Sequence, residues 1–187
     1  MSRPSGAGDA SAQTNRPLRP IVVHDHFFKN AGTSVDRTLK DNFGATWTNI
    51  ENEPHITPRE LQDFLLQNPW VAAMSSHTAP LPVPQVPGAA VIPIVFLRHP
   101  LDRVRSIYDF ERRQRLDAPA PNKAKELDLV GYVEWRLGRA EAFGDHAIVD
   151  FQTYRLAPAG GTGTRLSRAM QAVRALPFVG LVEDYDA

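Results

Sequence analysis

The chain has 187 residues, 42% of them hydrophobic and 22% charged, with 21 Lys+Arg against 21 Asp+Glu. That composition suits one globular domain with a sizeable core. The neutral balance speaks against a general nucleic-acid or anionic-membrane binder, and no run approaches the ~20 apolar residues of a membrane span. With no cysteine in the chain, disulfides, thiolate zinc sites, cysteine nucleophiles and iron–sulfur clusters are excluded.

Residues 1–19, rich in Ser, Ala, Gly, Pro and Arg, read as a disordered leader that lacks the apolar core of a secretory signal. The domain is expected over 20–187, and the cytoplasm is the default compartment. The apolar run Ile21-Val22-Val23 places a first strand at 20–28. A small-residue turn over 29–34 follows, then a helix carrying Val35 and Leu39, with Gly44 as its stop. A second strand is expected at 45–50. Thr57-Pro58-Arg59-Glu60 is a capping box with proline at the first helical position, and Leu61, Phe64 and Leu65 form that helix's stripe.

A short strand at 71–75, a proline-rich loop at 80–87 and a strongly apolar strand at 90–97 come next. Pro93 inside this last strand calls for an edge or a bulge. Pro100 opens a helix whose buried face is Val104, Ile107 and Tyr108 and which runs on to Arg115. Residues 117–124 read as a loop, 127–136 as a helix, 157–164 as a glycine-rich loop, 166–173 as a helix and 178–182 as a strand. The alternation of strands and helices predicts an α/β fold, a mainly parallel sheet with helices on both faces. Ligands of such sheets bind at the carboxyl ends of the strands.

Two segments carry chemistry. His26-Phe27-Phe28-Lys29-Asn30-Ala31-Gly32-Thr33-Ser34 has the parts of an anion cradle. Small residues let the backbone turn and present N–H groups, Thr33 and Ser34 offer hydroxyls at a helix start, and Lys29 adds a full charge. It is not a Walker A loop, because Lys29 does not directly precede the hydroxyl residue. The plain alternative is a helix cap after a tight turn, with Lys29 solvated. In the second segment Arg98 ends the most apolar strand, and Ser106 lies two turns into the following helix. An Arg fork suits a phosphate; the plain alternative is an Arg98–Asp102 pair and a solvent-facing Ser106.

Taken together the segments resemble the sulfotransferases that use 3′-phosphoadenosine-5′-phosphosulfate (PAPS), in particular the carbohydrate branch similar to heparan-sulfate 2-O-sulfotransferase. That branch has HIPKTGGTS after its first strand, matched at His26, Lys29, Gly32, Thr33 and Ser34. A later LRDPVERVLSHY-like segment is matched over Leu97–Tyr108. Asp150–Leu156 and Phe178–Tyr185 are weaker echoes, in the same order along the chain. The resemblance implies a P-loop-like fold and an enzyme moving a sulfuryl group from PAPS to a hydroxyl of a carbohydrate or glycolipid, with no metal expected. It implies that Lys29 is catalytic at the bridging oxygen, and that Lys29, Asn30, Ala31, Gly32, Thr33 and Ser34 hold the 5′-phosphate side. Arg98 and Ser106 would hold the 3′-phosphate.

His77, after the third strand, takes the place of the family's general base, a task that suits an imidazole. Glu53 and His55 are the reserve candidates. Three departures stand out. Asn30 and Ala31 replace Thr and Gly, His99 replaces an acidic or amide residue, and the chain stops at Ala187, where the family continues with acceptor-binding parts. The resemblance therefore implies a C-terminally short domain. A non-catalytic nucleotide-binding or interaction module and a P-loop phosphotransferase are the rival readings. His24 and His26 form an HxH pair for which the sequence places no third metal ligand, so a core or supporting role is expected. Arg112, Arg113 and Arg115 read as a solvated helix face.

Overall fold

The structure, a computed structural model, describes residues 17–50, 56–157 and 161–185. Five strands form one sheet in the order β2-β3-β1-β4-β5, and every pairing is parallel. They are β1 (Arg19–Asp25), β2 (Trp47–Asn49), β3 (Ala73–Ser76), β4 (Ala89–Leu97) and β5 (Phe178–Leu181). Among the described residues the α-helices are α1 (Gly32–Phe43), α2 (Pro58–Gln67), α3 (Pro100–Arg113), α4 (Pro119–Glu126), α5 (Leu129–Phe143), α6 (Phe151–Leu156) and α7 (Arg165–Ala175). No helix among them is long and apolar enough to cross a membrane.

The fold is α/β with helices on both faces. Ile21 and Val23 of β1 and Met74 of β3 pack on Leu61 and Leu65 of α2. Farther along that face Val95 meets Leu156 of α6 and Ala169 of α7. The opposite face carries Ala73 and Phe96 against Val35 and Leu39 of α1. This is the strand period of two at work: alternate side chains of β1 serve opposite layers. The capping box at the start of α2 is present, with Glu60 N–H donating to Thr57 Oγ1 at 3.2 Å and Thr57 N–H to Glu60 Oε2 at 2.8 Å.

Several expectations are corrected. Arg19, left in the leader, already pairs with Ala89, and residues 1–16 lie outside the described set. Pro93, in register with Val23 and without a bulge, lies where β4 is locally an edge, one of the two arrangements expected for it. It is accommodated because β5 pairs with β4 only from Ile94 onward, so β4 has a single neighbour at Pro93. The expected loop at 117–124 is mostly helix α4. Its prolines, Pro119 and Pro121, fall in the first turn, where a missing N–H costs nothing. In α3 the buried face is Arg103, Ile107, Tyr108 and Glu111, with Val104 only half-buried.

That charged face is satisfied internally. Glu111 Oε1 accepts from Arg136 Nη2 at 2.6 Å, and Glu111 also accepts the Tyr132 hydroxyl. Arg136 Nη1 reaches Asp145 at 2.6 Å, and Asp145 Oδ1 accepts the Ala147 N–H at 3.1 Å. Buried charges persist only when paired in this way. The network ties α3 and α5 to the 144–147 turn.

Candidate active site

The strand order places the exits of β3, β1 and β4 side by side. In register, Asp25 stands between Ser76 and Val95. The segments that follow, 26–31, His77 and Arg98, therefore converge at the carboxyl edge of the sheet. There Lys29, Ala31, Gly32, Thr33 and Ser34 line a cavity of about 350 Å³ together with His77, Arg98 and Ser106. His26, Phe28 and Phe110 complete its wall.

The loop between β1 and α1 is strained. Lys29 and Ala31 have φ of 64° and 60°, left-handed values that side-chain-bearing residues seldom adopt. Gly32 is needed for another reason: a Cβ there would lie 1.7 Å from Nε2 of His26. The bonds of the first turn begin with Ser34 N–H, which donates to Ala31 O at 2.9 Å. The N–H groups of Gly32 and Thr33 precede that ladder, as the first donors of any helix do. Thr33 and Ser34 are exposed.

Two cations face this cradle. Arg98 Nη1 donates to Lys29 O at 3.1 Å, and Lys29 Nζ lies 4.4 Å from the centre of the Phe110 ring. Among the described residues neither has a carboxylate in salt-bridge range, so the expected alternative of an Arg98–Asp102 pair is not formed; Asp102 sits 3.6 Å from His99 Nδ1 instead. Burial, with the charges of Arg113 and Arg98 nearby, pulls the Lys29 ammonium below its ordinary value. Arg113, read from sequence as solvated, thus contributes to the field of the site.

Asn30 does not face the cavity. It is buried, and its Nδ2 donates to Phe96 O and to Gln152 Oε1, each at 2.7 Å. It staples the loop to the end of β4. Gln152 completes the clamp: its Oε1 also accepts Arg98 N–H, and its Nε2 donates to Arg98 O, both at 2.9 Å.

The histidines are ordered by their neighbours. His77 Nδ1 lies 2.5 Å from the carbonyl oxygen of His26, and the two rings are 4.0 Å apart. A carbonyl only accepts, so Nδ1 carries the proton and Nε2 is the basic nitrogen of the neutral ring. Asp36 of α1 is the third group beside the HxH pair, 3.1 Å from His24 Nδ1 and 3.3 Å from His26 Nδ1. One carboxylate thus orients two imidazoles. Burial alone would raise Asp36, but His24, His26 and Ser75 outweigh it and hold the carboxyl well below its ordinary range. Burial lowers His24 despite the hydrogen bond to Asp36.

Sequence reasoning assigned no role to Gln152, Arg155, Arg103 or Asp36. Arg155 Nη2 meets the buried Asp25 at 2.5 Å; burial lifts Asp25 to about 7 even so. Arg103 gives Nε to Phe28 O at 3.0 Å and Nη1 to Ala147 O at 2.9 Å. Gln152 and Arg155 lie in the Asp150–Leu156 echo, which pointed to the segment without its contacts. Glu53 and His55 lie outside the described residues.

An uncharacterized protein of Archaeoglobus fulgidus is 36% identical to this chain over 180 residues, covering 90% of the chain and 70% of the archaeal protein. The chain belongs to the same family as that protein. No protein-family model matches the chain, and no solved structure does.

Proposed function

We propose that this protein is a P-loop-like sulfotransferase that moves a sulfuryl group from PAPS to an acceptor hydroxyl in the cytoplasm. The observation that carries the reading is the convergence of Lys29, Arg98, Ser106, the α1 N-terminus and His77 on one cavity, with neither cation in salt-bridge range of a carboxylate among the described residues. An anion would complete such a site.

On this reading the N–H groups of Gly32 and Thr33 and the hydroxyls of Thr33 and Ser34 hold the 5′-phosphate. Arg98 and Ser106 hold the 3′-phosphate, the group that distinguishes this donor from ATP. The acceptor hydroxyl passes its proton to His77 Nε2 as its oxygen bonds to sulfur. The bond from sulfur to the bridging oxygen breaks, and adenosine 3′,5′-bisphosphate leaves with the electron pair. Lys29 offsets the charge that grows on that oxygen, a task suited to a fixed cation in a partly dry site. His77 is held in the basic tautomer by the His26 carbonyl.

Calorimetric titration tests the donor site. Adenosine 3′,5′-bisphosphate is expected to bind in preference to ADP and Mg-ATP, and Arg98→Ala is expected to remove that preference. Equal or tighter Mg-ATP binding would favour phosphoryl transfer. Bisphosphate binding without turnover of any acceptor would favour a non-catalytic module.

A further inference from the structure

A second cavity, of about 440 Å³, adjoins the cradle, and His26, Phe28 and His77 line both. Any group held in it lies next to the imidazole that takes the acceptor's proton. Its walls include Phe28, Ala147, Phe151 and Tyr154. The guanidinium on its wall, Arg155, is engaged by Asp25 at 2.5 Å and lies over the Phe27 ring. Arg103 sits across the Phe151 ring at 4.0 Å and gives its hydrogen bonds to two carbonyls. The imidazoles have close neighbours, though His146 Nδ1 has no hydrogen-bond partner among the described residues. His26 faces Asp36, His77 faces a carbonyl, and His146 stacks on Tyr154 at 4.7 Å, with Arg165 also near that ring.

The contrast with the cradle is one of charge. Among the described residues the cradle's two cations have no carboxylate in salt-bridge range, whereas the guanidinium on this wall has one. An anionic acceptor placed here would lose its hydration and have to compete with Asp25 for Arg155, which is costly. An uncharged ring would gain by burying apolar surface.

We propose that this cavity receives the acceptor, and that the acceptor is an uncharged hydroxyl compound with an apolar ring, a phenol in its simplest form, rather than a polyanionic sugar chain. The proposal rests on the sulfuryl-transfer reading for the identity of the reaction, but the cavity's preference for an uncharged ring can be measured separately. The network through Asp145 and the Arg103 bond to Ala147 O hold the 144–147 wall in place, so the pocket is built before a ligand arrives.

The test uses 2-naphthol and 2-naphthoate, which share a ring system and differ in charge, on the full chain saturated with adenosine 3′,5′-bisphosphate. Naphthol is expected to bind at least ten-fold more tightly than naphthoate. Ala147→Trp is expected to abolish naphthol binding while bisphosphate affinity, which reports the cradle and the fold, stays within two-fold. Phe151→Ala, expected to weaken naphthol about ten-fold, serves if the Trp variant does not fold. Naphthoate or a uronic-acid oligosaccharide binding as tightly as naphthol would overturn the proposal, as would naphthol binding that neither variant changes, or none at all. If the bisphosphate fails to bind, the sulfuryl-transfer reading falls, and the naphthol–naphthoate pair on the unloaded chain still decides the cavity's preference.

Discussion

Two cavities share His26, Phe28 and His77 and differ in how their charges are met. In the first, strand exits and a helix N-terminus bring Lys29 and Arg98 together with no carboxylate in salt-bridge range among the described residues. In the second, Arg155 is paired with a carboxyl group from the interior of the sheet, Asp25. The difference teaches that the placement of carboxylates, more than the number of cations, divides this end of the molecule.

The sharpest way to break the comparison is to remove the unmet charge at the reacting bond. Lys29→Met should lower kcat by about 10³-fold, as loss of a group stabilising developing charge does, with little change in naphthol affinity. Steady-state kinetics with a saturating acceptor reads this directly; an unchanged kcat would take Lys29 out of the reaction. His77→Asn should lower kcat by about 10²–10³-fold with bisphosphate affinity retained. A parallel loss of bisphosphate binding would make His77 a structural element of the cradle.

Arg98→Ala should weaken adenosine 3′,5′-bisphosphate by roughly 100-fold, in line with loss of a buried charged partner, and affect AMP far less. Equal losses for the two nucleotides would assign Arg98 to the 5′ side. Gln152→Ala leaves Asn30 Nδ2 and the Arg98 main chain without side-chain partners, so a stability loss of about 1–3 kcal/mol is expected by denaturant titration. A loss of bisphosphate affinity should accompany it, because the clamp holds the cradle loop against β4.

The mildest test concerns the paired side. The Asp25 carboxyl is raised from 3.8 to about 7 by burial, against the pull of Arg155. Between those values the folded state binds a proton that the unfolded state has lost, so the Asp25 contribution to stability falls as pH rises from about 4 to about 7 and is flat above. The melting temperature of Asp25→Asn should therefore lack that downward slope. Parallel pH profiles for the variant and the natural chain would show that Asp25 does not titrate there.

Much of this arrangement is legible in the residues. Ile21-Val22-Val23, the Thr57–Glu60 box and the apolar 90–97 run state their elements locally, and all but one of the residues expected at the cradle line its cavity. Asn30 is the exception. Its neighbours in sequence face the cavity, but the left-handed residues on either side of it, Lys29 and Ala31, flank an amide that points inward to Phe96 and Gln152. Helix α4 was hidden because prolines in a first turn look, residue by residue, like those of a loop. Helix α6 was hidden because six residues are too few to display a helical period.

Local signals suffice for the α/β class, for most strands and helices, and for a basic, small-residue loop able to receive an anion, since those depend on propensity, period and spacing over a few residues. They do not reach the pairing of Asp25 with Arg155, the Asp36 contact to two histidines or the Gln152 clamp. These join residues that are 130 positions apart for Asp25 and Arg155, 12 for His24 and Asp36, and 122 or 54 for the Gln152 clamp. Which cation keeps its charge on offer depends on where distant carboxylates fall once the sheet has formed. That is a property of packing and register, and no short stretch of the chain encodes it.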